Sequence, residues 1–398
     1  MRNLYIVFAI CLSLILFVAG VWLTGSSKQP LDGFERLVEN PLLTRDHSQR
    51  VDRLQLIDTT DAFREGKLER VILNDTKPVG LLLEQVEGVG FPRRGSWTSP
   101  EMTTDFPFTE LIPTWNLSVP KETGVFFQVR IRDVASHEWS PWLFVGRWGR
   151  TVHGRSYDHL PSDTTTRFKH GVVRSDMPLV LLRRPADAYQ IRATLQSFDL
   201  NPDVNPGIRR IAVAYSGMIP DPKERARLQA KSEMRSENAL DLDVPHVSQY
   251  DAPQPLCESV CMPASVTMVL RYFKVDRSLT ENALAIYDPD TGMFGNGARA
   301  IAWAGEQGLD GWMQRVRDWD EVKTLIGSGM PIIAAAKFEQ AEHLIVVRGF
   351  TSKGEIIVND PDKRTNGGTI WNPDELGRAW FGSGGLACVI RKPVEKGE

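Results

Sequence analysis

The chain has 398 residues, 42% apolar and 24% charged, a balance that suits two or three globular domains with ordinary cores and excludes a disordered or low-complexity polymer. The formal net charge of -3 is spread without long single-sign blocks, so the footprint of a nucleic-acid binder is missing and no nucleic-acid partner is expected. The 7 histidines and 4 cysteines lack metal-ligand spacing, and no phosphate-cradling Gly-x-x-x-x-Gly-Lys-Ser/Thr loop occurs, so neither a metal nor another cofactor is expected.

Met1 and Arg2 precede an uncharged stretch whose core, residues 4–23, is almost continuously apolar. At about 20 residues it is long enough to span a bilayer as a helix, whereas the apolar part of a cleaved signal is about 7–15 residues. Residues 1–27 are read as a transmembrane anchor, with a cleaved signal peptide as the alternative. In both cases Arg2 stays on the cytoplasmic side and the remainder is exported. Cys11 falls inside the apolar segment and reads as a membrane-buried thiol.

Residues 28–65 are polar and irregular and read as a stalk. From 66 to 217, short runs rich in β-branched and aromatic residues at 71–73, 80–83, 125–131, 142–145, 179–182, 189–195 and 208–215 are separated by turn residues, the pattern of an all-β sandwich. Trp97, Trp115, Trp139, Trp142 and Trp148 crowd this region, together with the phrase at 106–116. Filling the sandwich core is the preferred reading of these rings; the alternative is a face that stacks on a cell-envelope ligand. Residues 218–241 turn to mixed charge and read as a linker or solvated helix. From 242 to 394, helices at 266–273, 298–307 and 319–326 are followed by strands at 331–338, 343–350, 355–359 and 386–390, which predicts an α+β domain.

The chemistry concentrates in that last domain. Cys261 opens a segment that runs into an apolar helix, with Pro263 suited to a first helical turn. A thiol at a helix start sits among unpaired N–H groups and the positive end of the helix dipole, which favours the thiolate that attacks a carbonyl. His343 stands at the entrance of a buried strand and suits a base; His246 is a weaker candidate. Asp360 ends what reads as the neighbouring antiparallel strand, where a carboxylate orients an imidazole, and Asn359 fills that role if the register differs by one. Gln249, upstream of the cysteine, carries an amide that can donate to an oxyanion beside the Cys261 N–H. If the exported cysteines form a pair, Cys257 with Cys388 is the version that leaves Cys261 free.

The blocks at 244–249, 261–270, 343–350 and 358–361 resemble the C39-like branch of the papain-like cysteine peptidases, over roughly 242–392. Residues 295–297, 329–333 and 374–380 fit the same pattern, and 95–100 with 111–116 resemble the accessory β-domain of some exported members. The resemblance implies a papain-like fold with Cys261 as nucleophile, His343 as base, Asp360 as orienting acid and Gln249 as oxyanion donor. Met262 departs from the glycine common after the cysteine, and the chain lacks the ATP-binding loop and multi-span domain of transporter-fused C39 peptidases. The expected function is that of an exported, anchored cysteine peptidase acting on a peptide or protein substrate. A catalytically silent cell-envelope binding protein and a transamidating relative are the alternatives.

Overall fold

The computed structural model describes residues 49–74, 80–84, 92–152, 165–174, 177–229, 239–338, 341–364 and 368–394, which belong to one compact unit. The apolar segment at 4–23, most of the stalk and residues 230–238 of the charged linker lie outside them. Among the described residues no helix is long and apolar enough to cross a membrane.

The first half consists of β1 (Arg50–Ile57), α1 (Thr60–Arg64), β2 (Lys67–Glu69), β3 (Val71–Asn74), β4 (Gly80–Leu83), β5 (Arg93–Thr98), β6 (Met102–Ser118), β7 (Thr123–Asp133), β8 (Leu143–Gly149), β9 (Thr165–Phe168), β10 (Gly171–Arg174), β11 (Leu179–Ser197) and β12 (Gly207–Met218). These strands hydrogen-bond into one 12-stranded, β-rich assembly. The runs expected at 179–182 and 189–195 are two parts of β11. Its first part pairs with β10 and β6 and its last part with β7 and β5, with register shifts between them. A strand that bends this way passes from one layer to the other. Trp115 of β6 stacks on Phe127 of β7 at 4.0 Å although the two strands share no ladder, which is face-to-face packing of layers.

The tryptophans divide between core and covered surface. Trp97, Trp115 and Trp148 are buried. Trp142 lies under Arg192 and Arg130, at 4.1 and 4.9 Å, and Trp139 under Arg130 at 4.8 Å. The chain's own guanidinium groups therefore occupy faces that a flat ligand would need.

The stalk expected at 28–65 is corrected over its last part. Arg50–Ile57 is a strand paired with residues 211–218 of β12, and Thr60–Arg64 is a helix capped by Thr59. Its charges had suggested solvent, but Arg50 is fully buried and donates to the carbonyls of Gly384 and Val316 in the second half.

The second half runs α2 (Pro222–Gln229), β13 (Leu240–Asp241), α3 (Cys261–Tyr272), α4 (Leu279–Ile286), α5 (Gly297–Glu306), β14 (Asp310–Arg315), α6 (Trp319–Gly327), β15 (Ile332–Phe338), β16 (Ala341–Phe350), β17 (Ile356–Asn359), β18 (Thr369–Trp371), α7 (Pro373–Trp380) and β19 (Leu386–Arg391). Its 7-stranded sheet has the order β14-β19-β15-β16-β17-β18, with β13 on β16. Residues 240 and 241, expected as linker, therefore join the sheet. Helices α3 and α5 pack against β16 and β14.

The two halves share a core in which Ala212 of β12 meets Trp312, Met330 and Val389, with Leu54 and Leu56 packed alongside. Asn116 of β6 donates to the Gly311 carbonyl at 3.2 Å and accepts from its N–H at 3.0 Å, so its side-chain amide pairs with β14 as a peptide group does. A Cβ on Gly305 would come within 3.0 Å of the Asn116 backbone, so that glycine lets α5 press onto β6. Buried Arg315 pairs with both carboxylate oxygens of buried Glu110, its Nη2 lying 2.8 Å from Oε2, and donates to the Gly384 carbonyl. Burial alone would lower the Arg315 pKa, but the Glu110 charge beside it holds it raised.

Candidate active site

Cys261 is the first residue of α3 and is half-buried. Val260 before it makes no side-chain cap and the first turn holds no acidic residue, so the positive helix end is not neutralised by its own chain. The helix is fixed beneath by burial of every residue from Met262 to Leu270. Ser265 donates to the Leu344 carbonyl at 3.1 Å, tying the helix to β16 one residue beyond His343.

His343 lies on β16, between Ala336 of β15 and the strand β17, whose Asn359 pairs with Val346. This register brings the end of β17 back to His343. His343 Nε2 stands 2.7 Å from Asp360 Oδ1, and Cys261 lies near enough to influence the charge of the ring. With Nε2 taken by the carboxylate, Nδ1 is the nitrogen left for sulfur. Burial, the largest influence on the ring, disfavours its charge, but the Asp360 hydrogen bond and the charges of Asp360 and Cys261 outweigh it and raise its pKa from 6.5 to about 9. Burial likewise disfavours the Asp360 carboxylate, and the bonds from His343 and the Asp362 N–H reverse that, holding its pKa below the usual value.

Asn359 turns elsewhere: its amide donates to the Val244 carbonyl at 2.8 Å, which leaves Asp360 as the partner of the imidazole. His246 reaches Asp360 by another route, its Nε2 lying 2.9 Å from the Asp360 backbone carbonyl. The structure thus joins the weaker histidine to the site through the Asp360 backbone. Its spacing carried no signal for that contact.

Gln249 begins a single 3-10 turn, Gln249–Asp251, capped by Ser248, and the turn packs on α3. Its N–H donates to the Pro361 carbonyl at 2.8 Å, and Tyr250 donates to Asp362 at 2.6 Å, so this segment and the Asp360 loop are tied together. The Gln249 side chain is buried, yet its Oε1 has no hydrogen-bond partner.

The pair that the sequence left open between Cys257 and Cys388 does not form: Cys257, Cys261 and Cys388 are all free. Cys388 is buried in β19, its sulfur facing Gly297, where an added Cβ would meet it at 3.1 Å. Burial pushes its thiol up to about 12. Among the described residues no group of three or more His, Cys, Asp or Glu is placed to hold a metal ion.

Residues 241–385 match the family model described as Peptidase_C39 like family, and residues 53–216 match that of the Peptidase C39 N-terminal domain. Among solved structures, a double glycine motif protease from an AMS/PCAT transporter, in complex with the leader peptide, is 22% identical with a TM-score of 0.30, covering 38% of this chain and 94% of that one. A putative C39-like peptidase from Bacillus anthracis is 15% identical with a TM-score of 0.32, covering 40% of this chain and 100% of that one. No curated protein matches the chain.

Proposed function

We propose that this chain, which belongs to the C39-like peptidases and carries their N-terminal domain ahead of the peptidase domain, hydrolyses peptide bonds through a thioester on Cys261. The observation that carries the reading is one imidazole, His343, held 2.7 Å from the Asp360 carboxylate, with Cys261 at the start of α3 near enough to act on the charge of the ring. That is the arrangement nucleophilic catalysis by cysteine requires: a nucleophile, a base beside it, and a third group orienting the base.

Cys261 sulfur attacks the substrate carbonyl carbon, and the carbonyl electrons move onto oxygen. The Gln249 side-chain NH2 and the Cys261 N–H are the donors we assign to that oxyanion. The His343 imidazolium gives its proton to the leaving amine as the C–N bond breaks, and the acyl group remains on sulfur. His343, now neutral, takes a proton from water as the water attacks the thioester, which frees the acid and restores Cys261. Asp360 keeps the ring oriented and its charge compensated throughout. An amine in place of water would make the product an amide, so the transamidating reading differs only in the second nucleophile. A silent binding scaffold has no need of an imidazole whose charge is favoured by a carboxylate and a nearby thiol at an uncapped helix end.

Localisation rests on the sequence at 4–23, whose apolar length motivates an anchor with the remainder outside the cytoplasm. Retention with membranes after a high-salt wash is expected; recovery of a soluble protein whose first residue lies near 21–27 would identify a cleaved signal. For activity, the full chain and its His343→Ala variant are compared on a proteome-derived peptide digest. His343→Ala is expected to fold and to lose turnover by a factor on the order of 10²–10⁴. Near-normal hydrolysis by the folded variant would remove His343 from the mechanism.

A further inference from the structure

His246 stands in the segment 244–250, which grips the loop carrying Asp360 residue by residue. The Asn359 amide donates to the Val244 carbonyl at 2.8 Å, the Gln249 N–H donates to the Pro361 carbonyl at 2.8 Å, and the Tyr250 hydroxyl donates to Asp362 Oδ1 at 2.6 Å. Residues 359, 361 and 362 are each held in this way, and His246 holds the one among them that orients the base: its Nε2 lies 2.9 Å from the Asp360 backbone carbonyl. A carbonyl can only accept, so Nε2 carries the proton of this bond. The other end of the same residue is held by the Asp362 N–H, which donates to Asp360 Oδ1 at 3.0 Å, the oxygen that lies 2.7 Å from His343 Nε2. Buried Asp360 is therefore fixed twice, its main chain by His246 and its carboxylate by its own loop.

We propose that His246 is a positioning residue: its Nε2–H pins the Asp360 main chain and thereby sets where the carboxylate holds the His343 ring. This inference rests on the peptidase reading. Residue type alone made His246 a second candidate base, and the structure gives it a different part, because it meets the orienting residue at its backbone and not at its carboxylate. Nε2 bears a hydrogen both in the imidazolium and in the Nε2–H tautomer of the neutral ring, so the bond holds in either charge state and His246 moves no proton in doing this work. What the position requires is one N–H donor of the right reach. A glutamine amide supplies one; a phenylalanine ring of similar shape does not. Without the donor the Asp360 carbonyl loses its anchor, and the carboxylate shifts with it. Misplacement of about 1 Å costs on the order of 10²-fold. Asp360 acts through His343, and His246 acts through Asp360, so a smaller loss of about tenfold is expected, in kcat and not in KM.

The test uses the full chain and one peptide that it cleaves, with kcat and KM measured separately for His246→Phe, His246→Gln, Asp360→Ala and the double variant His246→Phe/Asp360→Ala. Circular dichroism checks the fold of each, and His246→Leu serves as the second variant without a donor should His246→Phe not fold. His246→Phe is expected to lose about tenfold in kcat with KM unchanged, and His246→Gln to recover turnover close to that of the wild type. In the Asp360→Ala background His246→Phe is expected to cost nothing further, since the group it positions is gone. Wild-type kcat in the folded variant without a donor would overturn the proposal. A glutamine as damaging as phenylalanine would do so too, because it would show that the imidazole itself is needed. Losses that multiply in the double variant would show that His246 does not act through Asp360, and would equally overturn it. Absence of any Cys261-dependent cleavage by the wild type would overturn the peptidase reading and this inference with it.

Discussion

Replacing Asp360 separates what its charge does from what its geometry does. Asp360 Oδ1 receives both the His343 ring at 2.7 Å and the Asp362 N–H at 3.0 Å. Asparagine keeps an oxygen able to accept both bonds but loses the charge; alanine loses both. The rise of the ring's pKa from 6.5 to about 9 corresponds to roughly 3 kcal/mol favouring imidazolium, against the pull of burial. A hydrogen bond to a charged group is worth about 1.5–3 kcal/mol, so Asp360→Asn should move the alkaline limb of the kcat/KM profile from near 9 down by about one to two pH units. Its rate below that limb should survive. Asp360→Ala leaves the ring unpositioned, and misplacement of about 1 Å costs on the order of 10²-fold. The assay is kcat/KM against pH for the three proteins on one fluorogenic peptide, with folding checked by circular dichroism. An alkaline limb still near 9 in Asp360→Asn, or a rate close to wild type in Asp360→Ala, would refute the argument that this carboxylate holds and charges the base.

Three further outcomes follow from the same geometry. Brief iodoacetamide treatment of the native protein should label half-buried Cys261 before buried Cys257 and Cys388, with activity lost in step; labelling of Cys257 first, with the activity, would displace Cys261 as nucleophile. Glu110→Ala strands the buried Arg315 guanidinium and should cost about 3–5 kcal/mol in urea unfolding, with both halves melting in one transition; two separate transitions would show that the junction does not couple them. Because the folded pKa of His343 is raised, its contribution to stability is fully present below about 6.5 and is lost as pH rises through about 9. The urea midpoint of the wild type should therefore exceed that of Asp360→Asn near neutrality by more than it does above about pH 10, and a gap independent of pH would contradict the charge linkage.

Much of the second half was legible because its elements obey local rules. The buried runs at 332–338 and 343–350 are bounded by turns, and the helix at Cys261 follows from Pro263 and the apolar residues beneath it. Helix α4 carried a readable signal that went unused, the Ser278 to Glu281 capping box. Other elements owe their form to distant partners. β14 begins Asp310-Gly311, poor strand formers, and exists because Asn116 and the β19 ladder complete its bonds. β1 looked like solvated stalk because Arg50 and Arg53 are charged, yet Arg50 is a buried tie to the second half. At the site, residue types and order identified Cys261, His343, Asp360 and Gln249 as candidates, but the choice between Asp360 and Asn359 was a matter of register, which hydrogen bonds in three dimensions decide. The contact of His246 with the Asp360 backbone joins residues far apart in the chain, and no local pattern marks it.

The central claim is that an acyl group passes through Cys261, and it can be trapped there. The full chain is mixed with a peptide it cleaves, quenched in acid within the first turnovers and mapped by mass spectrometry after proteolysis at low pH. The account predicts the acyl mass on the peptide containing Cys261, and its absence from Cys261→Ala. Acylation of Cys257 or of no cysteine, with hydrolysis persisting in Cys261→Ala, would contradict it.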